Sequence, residues 1–195
     1  MSSILAGRRA ETSVPIDDVH ATRWSPRAFD PEATIDEATL ATVLEAARWA
    51  PSARNAQPWR FVVGRRGTAT HAALAENLMG FNREWAPAAS ALILNIAVTK
   101  DAAGDRLRWA EYDLGQAVAH LTLQAQRQGL HSHQMGGIEV EGLRQAFDLG
   151  EHLVPVSITA LGVLGDPQRL PERLRLRELA PRERLPLNEL VLARD

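Results

Sequence analysis

Apolar residues recur along this chain at two different spacings, and each spacing predicts a different kind of element. Over residues 36–50 they fall three or four positions apart, which predicts one buried face of a helix: Leu40, Val43, Leu44 and Ala47. Asp36 is placed to cap the first turn of this helix, and Pro51 ends it because the residue before a proline disfavours helical dihedrals. Similar patterns predict helices over residues 68–78, 107–128 and 140–147.

Runs of apolar residues predict strands over residues 60–64, 90–98 and 154–164. Residues 90–98 are apolar on both faces, so we expect this strand in the middle of a sheet that is covered on both sides. The longest apolar stretch, residues 86–98, contains Ser90 and Asn95 and is shorter than the roughly 18 residues that cross a bilayer. The pattern therefore predicts helices packed on a sheet, and no membrane partner.

Composition narrows the class of protein. The chain has 195 residues, of which 45% are hydrophobic and 24% are charged, and its formal net charge is -2. These values predict one globular domain over residues 1–195 and disfavour a nucleic-acid partner, which needs a basic surface. The sequence contains no cysteine, which excludes disulfides and thiolate metal ligands. We recognise no secretory signal before Val14 and expect a cytoplasmic protein.

Residues 51–58 separate the first predicted helix from the first predicted strand, and they are rich in prolines and polar side chains. Two prolines lie within this loop, and Trp49 and Trp59 flank it. Asn55 and Gln57 lie at the mouth of the turn, where a rigid scaffold can direct their amides toward a ligand that has both donors and acceptors. The alternative is a turn in which these two side chains bind only their own backbone.

Two short cationic motifs suit an anion. Arg23, Ser25 and Arg27 face the same side of an extended backbone, and two guanidiniums with a hydroxyl suit a phosphate. Arg182 and Arg184 repeat this alternation far along the chain and can bring two more positive charges to the same anion. The alternative for the first motif is the solvated edge of a strand.

Two pairs of residues between these motifs are further candidates. Gly136 and Gly137 present backbone N–H groups that a planar ring can approach closely, although a pair of glycines also forms turns. His131 and His133 would share one face of a strand, but a third ligand at recognisable spacing is missing. We therefore predict no metal site.

Taken together, six segments in this order resemble the nitroreductase family of FMN-dependent oxidoreductases, over nearly the whole chain. The segments are residues 23–27, 51–59, 81–85, 113–130, 135–137 and 182–184. The resemblance implies an α+β fold of three layers, with helices on both faces of a mostly antiparallel sheet. It also implies a homodimer that exchanges a C-terminal arm, about residues 168–195. Within that arm, residues 168–189 mix Arg, Glu and Pro, which is typical of a segment that extends over a surface.

The resemblance also assigns positions around FMN. The positions that would hold its phosphate and ribityl chain are Arg23, Ser25, Arg182 and Arg184. The basic position at the pyrimidine end of the ring is Arg27. The polar positions near the ring are Asn55, Gln57 and Asn82. The positions that a second subunit would donate are Pro51, Ser52 and Ala53. The backbone at flavin N5 would be that of Gly136 and Gly137, where some relatives carry Glu in place of Gly136. Two further positions lie inside the matching motifs, Trp24 and Met135.

The same resemblance implies a ping-pong hydride transfer from NADH or NADPH, through flavin N5, to a small acceptor. The acceptors implied are nitroaromatics, quinones and enones. The flavin would carry out the electron chemistry, so no side chain is predicted to be catalytic. Two alternatives stay open: a specialised flavin enzyme on the same scaffold, of the dehalogenase or desaturase type, and a non-catalytic protein that binds or senses flavin.

Overall fold

A four-stranded antiparallel sheet runs through the centre of the protein, in a computed structural model that describes residues 7–194. The ends of the predicted 1–195 domain, residues 1–6 and 195, lie outside the described residues. The strands are β1 (Trp59–Arg65), β2 (Ala91–Val98), β3 (His131–Met135) and β4 (Leu153–Gly162). Their spatial order is β1-β2-β4-β3, and each neighbouring pair is antiparallel. The predicted α+β class and antiparallel sheet are confirmed.

Eight α-helices surround this sheet within residues 7–194. They are α1 (Asp18–Thr22), α2 (Glu37–Arg48), α3 (Ala69–Glu76), α4 (Asn82–Trp85), α5 (Ala110–Arg127), α6 (Val140–Ala146), α7 (Glu172–Leu179) and α8 (Leu187–Leu190). A short 3-10 turn over Ala53–Asn55 precedes β1. In the described part of the chain, no helix combines the length and the apolar character that a membrane span requires.

The helices lie on both faces of the sheet, as the predicted three layers require. On one face, α2 and α5 pack their apolar sides against β2 and β4, with Val43, Leu121 and Ile93 fully buried. On the other face, α3, α6 and α7 cover the same two strands, with Leu74 and Leu143 fully buried. Central strand β2 is therefore enclosed on both sides, which explains its apolar sequence.

The local signals that the sequence carries act as expected at the ends of the helices. The Asp36 carboxylate accepts a hydrogen bond from the Thr39 backbone N–H at 2.7 Å and caps α2. Gly129 follows α5 with a φ of 75°, a left-handed conformation that glycine adopts without strain. The long helix therefore ends where the sequence predicts.

The C-terminal segment differs from its prediction. Residues 168–189 are predicted to extend over a surface, yet α7 forms within them and inserts two side chains into the protein, Leu174 and Glu178, each 1% exposed. The spacing of these two residues, four positions apart, is that of one helical face. The cause is burial: Leu174 joins the hydrophobic core on one face of the sheet.

We expect Leu174→Ala to lower the free energy of unfolding by about 2 to 4 kcal/mol, because it leaves a cavity in this core. Leu176→Ala is the matched control on the same helix: its side chain is 65% exposed, and the expected change is within about 0.5 kcal/mol. Urea unfolding of the two variants measures the difference. Equal losses for both would contradict the packing of α7 on the body of the protein.

Candidate functional site

The arginine segment, residues 23–28, shows alternating burial and bends at Arg27. Arg23, Ser25 and Arg27 are partly exposed, while the residues between them are buried. An Arg23 guanidinium nitrogen lies 3.4 Å from Ser25 Oγ. The structure therefore places the three predicted polar side chains along one side of this segment, as the alternation requires.

The C-terminal segment brings Arg182 and Arg184 to the arginine segment. The Arg182 guanidinium donates hydrogen bonds to the carbonyl oxygens of Ala21 at 3.1 Å and of Arg23 at 2.8 Å, and also to that of Arg8. Arg182 is thus tied to the backbone on which Arg23 lies. Arg8, Arg23, Arg182 and Arg184 form the arginine cluster.

The arginine cluster carries unbalanced positive charge. Burial lowers the pKa of Arg23, and the charge of Arg184 lowers it further. Burial likewise lowers the pKa of Arg182, with added repulsion from Arg23, Arg184 and Arg8. Within residues 7–194, no carboxylate lies within ion-pair distance of Arg23, Arg182 or Arg184. An anion bound among these groups would offset both the cost of burying their charges and the repulsion between them.

Glu178 and His133 hold the arginine segment in place through hydrogen bonds to its backbone. Glu178 accepts hydrogen bonds from the backbone N–H groups of Arg27 and Ala28, at 2.9 to 3.1 Å. The Nδ1 of His133, on β3, donates to the Pro26 carbonyl oxygen at 2.9 Å. The sequence analysis missed both roles. The helical spacing of Glu178 behind the apolar Leu174 is the signal that could have indicated that this carboxylate is buried.

His133 and His131 are held uncharged by burial. Burial lowers the pKa of His133 to about 4, the nearby Arg27 and Arg23 add to the shift, and the hydrogen bond to Pro26 opposes it. Burial also lowers the pKa of His131 to about 4, and neither ring nitrogen of His131 has a hydrogen-bond partner. The His131 ring packs edge-on against Trp24, at 6.5 Å between ring centroids.

Gly136 and Gly137 follow β3 and leave their backbone accessible. A Cβ added at Gly136 would meet no atom within 4 Å, whereas one at Gly137 would lie 3.2 Å from Asn82 Nδ2. That Asn82 nitrogen also lies 3.4 Å from the Gly137 carbonyl oxygen, to which it donates. The structure therefore brings Asn82 and the glycine pair together.

Aromatic packing connects this region to the arginine segment. Trp85, on α4 three residues after Asn82, lies 4.6 Å from the His133 ring, measured between centroids. His133 in turn binds the Pro26 carbonyl oxygen. Asn82, the glycine pair and the arginine segment thus belong to one continuous packed unit.

Two predicted positions have buried side chains. Trp24 is 4% exposed and carries the Arg8 guanidinium 4.4 Å above its ring, and Met135 is 3% exposed in the core. Their side chains do not face the open side of the segment.

The loop of residues 51–58 has a strained backbone. Arg54, Asn55 and Gln57 adopt positive φ angles of 55°, 55° and 49°, and each such residue other than glycine costs roughly 1 kcal/mol. The buried Asp113 of α5 accepts a hydrogen bond from the Ala53 N–H at 3.0 Å and anchors the loop. Strain that is held in place by a buried anchor is typical of functional loops.

The polar side chains of this loop bind within it. Gln57 Nε2 donates to the Asn55 carbonyl oxygen at 3.2 Å, and Ser52 Oγ accepts from the Gln57 N–H at 3.0 Å. This is the alternative that the sequence left open for Gln57. Among residues 7–194, no hydrogen bond or ion pair joins the loop to the arginine cluster. The structure does not bring the two predicted parts of the site together within one protomer.

A cavity of about 560 Å³ opens beside Arg23, between α5 and the strands β3 and β4. Arg23, Gln134 and Ser157 give it a polar side, while Leu114 and Val118 of α5 give it an apolar side. Cofactor and ligand pockets have volumes of roughly 300 to 1,000 Å³ and combine an apolar lining with a few polar groups. The cavity therefore meets both criteria.

Comparison with known proteins gives consistent matches. The family model described as Nitroreductase family matches residues 21–163. An uncharacterized 15.4 kDa protein in the ask 5'region of Mycolicibacterium smegmatis is 39% identical over 141 residues, which cover 68% of this chain and 93% of that protein. The NADH dehydrogenase of Thermus thermophilus is 29% identical over 219 aligned residues, covering 94% of this chain and 100% of that protein.

A solved structure of an oxidoreductase containing FMN is similar in both sequence and fold. Its identity to this chain is 35%, the TM-score is 0.88, and the match covers 93% of each chain. The matched family residues include the arginine segment and the glycine pair, and they end before α7 and the two C-terminal arginines.

Because His131 and His133 are buried and uncharged, we expect the free energy of unfolding to decrease at acidic pH. A histidine whose pKa is about 4 when folded and about 6.5 when unfolded binds its proton first in the unfolded chain, so stability falls as the pH drops below about 6.5. We expect His131 to contribute about 2 kcal/mol of lost stability between pH 7 and pH 5. His131→Phe should remove that part of the pH dependence in urea unfolding, whereas His152→Phe, at an exposed histidine, should retain it. An unchanged slope in His131→Phe would contradict the buried, neutral state.

Proposed function

The chain belongs to the nitroreductase family, and from this membership and its arginine cluster we propose that it is an oxidoreductase that binds FMN. The observation that carries the proposal is the converging, unbalanced positive charge of Arg23, Arg182 and Arg184. A phosphate dianion is the chemical group that such a cluster stabilises best, because guanidiniums bind it through charge-assisted hydrogen bonds. The FMN that a similar structure contains supports the choice of cofactor.

The residues present fit FMN at both of its ends. Arg23, Ser25 and Arg184 have polar groups that would hold the phosphate and ribityl chain, while Arg182 would act partly by holding the backbone at Arg23. Arg27 would place a positive charge at the pyrimidine end of the ring. The accessible backbone at Gly136 would lie against the ring, with Asn82 beside it.

FMN, when bound, supplies a hydride acceptor and donor that passes two electrons from a nicotinamide to a second substrate. The protein would bind and orient, and no side chain needs to act as a nucleophile. NADH or NADPH would be the donor, and the name of the Thermus thermophilus relative supports NADH. Nitroaromatics, quinones and enones are the acceptors we propose, because an electron-poor π system accepts hydride.

We propose that a homodimer completes the site. The strained loop 51–58 lies apart from the arginine cluster of its own protomer, and Asn55 and Gln57 are exposed. A second protomer would bring its loop to the first protomer's cluster. The exposed apolar residues that follow Arg184 suit an arm that covers a partner: Leu185, Leu187, Leu190 and Leu192. The arm that the two protomers exchange would then begin after Arg184, because α7 and Arg182 pack on their own protomer.

The first test is FMN binding. We expect the protein to bind FMN, and we expect Arg23→Ala and Arg184→Ala each to weaken binding by about 1.5 to 3 kcal/mol, the range for a hydrogen bond to a charged group. Arg106→Ala removes one exposed arginine outside the cluster and is the control for net charge. Fluorescence titration with FMN measures all four affinities. Equal affinities in the wild type and both cluster variants would exclude the assigned phosphate site.

Turnover separates the proposed reaction from the other flavin functions. Mixing the FMN-loaded protein with NADH or NADPH should bleach the flavin absorbance within the time of a catalytic cycle, and adding a quinone or nitrofurazone should restore it. Slow or absent bleaching would indicate a flavin sensor. Bleaching without reoxidation by either acceptor would indicate a specialised flavin enzyme.

The shared site predicts complementation between two damaged chains. Arg23→Ala removes the cluster function, and the double variant Asn55→Ala/Gln57→Ala removes the loop function. In a mixed dimer one site combines both defects and the other has neither, so random mixing should restore about a quarter of the wild-type FMN sites. Each variant alone is the control. If the loop and cluster of one protomer serve the same site, mixing restores nothing.

A further inference from the structure

Glu178 is an acidic residue inside the protein, on a helix that the family match does not include. It is 1% exposed, and α7 begins nine residues after the matched region ends. Its Oε1 accepts from the Arg27 N–H at 3.0 Å and from the Ala28 N–H at 3.1 Å, and its Oε2 accepts from the Arg27 N–H at 2.9 Å. One carboxylate thus satisfies two consecutive backbone donors that lie 150 and 151 positions earlier in the chain.

A buried carboxylate is unfavourable unless donors or cations surround it. The second partner of Glu178 is the Arg27 guanidinium, at 3.8 Å, and that side chain is one quarter exposed. Burial raises the pKa of Glu178, while the N–H groups of Ala28 and Arg27 and the Arg27 charge oppose the rise. Glu178 therefore contacts both the backbone and the side chain of one residue, and that residue still reaches the open side of the segment.

Neighbouring contacts hold the same stretch of backbone from its other sides. The Gly165 N–H donates to the Ala28 carbonyl oxygen at 2.8 Å, and His133 binds the Pro26 carbonyl oxygen at 2.9 Å. Phe29 forms an isolated antiparallel bridge with Leu164. With these bonds in place, Glu178 supplies the remaining restraint, the one that fixes the N–H side of Arg27.

We propose that Glu178 is a positioning residue for Arg27. From α7 it holds the backbone and the guanidinium of Arg27, so that this side chain is directed toward the bound cofactor. This inference rests on the proposed function, since FMN is the group that Arg27 would meet. Glu178 itself is buried against the backbone of the arginine segment and would not touch the cofactor. The segment that follows the family match would then be a working part of the binding site.

The sign of the expected effect separates positioning from simple charge. Removing a negative charge next to an anion site strengthens the attraction for FMN, because its phosphate is negative. Removing a positioning residue weakens binding, because Arg27 must then be ordered when the cofactor binds. Glu178→Gln keeps the volume of the side chain and removes its charge. Positioning therefore predicts a loss of affinity where charge alone predicts a gain.

A double-mutant cycle tests whether Glu178 acts through Arg27. We expect Glu178→Gln to weaken FMN binding about tenfold in the wild-type background and less than about twofold in the Arg27→Met background. Glu178→Asp keeps the charge but shortens the reach, and it should also weaken binding. Glu172→Gln, at an exposed acid on the same helix, is the charge control and should leave the FMN affinity unchanged.

A second readout needs no cofactor. In the FMN-free protein, the Arg27 and Ala28 amides should exchange with solvent at least about tenfold faster in Glu178→Gln than in the wild type, while the exchange of amides in β2 stays the same. If a variant is less stable, exchange in β2 reports the global change, and an increase at Arg27 and Ala28 beyond the increase in β2 identifies the local loss of restraint.

The outcomes distinguish this inference from the function on which it rests. Equal weakening in both backgrounds, tighter binding in Glu178→Gln, or unchanged exchange at Arg27 and Ala28 would overturn the positioning role and leave the proposed function standing. Failure of the wild type to bind FMN would overturn the proposed function, and this inference with it.

Discussion

The repulsion between neighbouring guanidinium groups is the constraint on which the arrangement of this protein depends. The charge of Arg184 lowers the pKa of both Arg23 and Arg182, and Arg23 lowers the pKa of Arg182 further. In the described part of the chain, no carboxylate forms an ion pair with these three arginines. Such a cluster would disperse if only its side chains were involved. It persists because Arg182 is bound to backbone carbonyl oxygens and because the arginine segment is bonded along both edges of its backbone.

The sheet supplies the rigid base for this cluster. Strand β3 carries His133 to the Pro26 carbonyl oxygen, and β4 continues into residues 163–165, which bond to the other end of the arginine segment. The uncharged state of His133 matters here, because a third positive charge close to those of Arg23 and Arg27 would add to the repulsion. Because burial keeps the His133 imidazole uncharged, it adds no repulsion to Arg23 and Arg27.

Much of the fold was predictable because its signals are local. The periodicity of α2, the Asp36 cap, the Gly129 stop and the apolar β2 each depend on residues within a few positions of one another, and the structure has each of them. The family resemblance is likewise confirmed. The prediction of an extended arm failed at α7, because its helical face is short and its burial depends on a core built elsewhere in the chain.

The site was less predictable because its contacts span most of the chain. The residue types at Arg23, Ser25 and Arg27 were recognisable, yet the burial of Trp24 and Met135 and the backbone role of Arg182 depend on which surfaces meet after folding. In the sequence, Glu178 is one of several acidic residues that alternate with arginines over residues 169–184. Its partners Arg27 and Ala28 lie 151 and 150 residues away, and local patterns carry no information on such a pairing.

The bonds that join Glu178 and Arg182 to the arginine segment also set an order of events during synthesis. All four strands precede α7 in the chain, so they are synthesised, and leave the ribosome, before the residues of α7 that restrain the arginine segment. Arg23 and Arg27 are made well before the carboxylate of Glu178 and the guanidinium of Arg182, which restrain their backbone. The ability to capture an anion is therefore acquired only after the strands that support the arginine segment have been made.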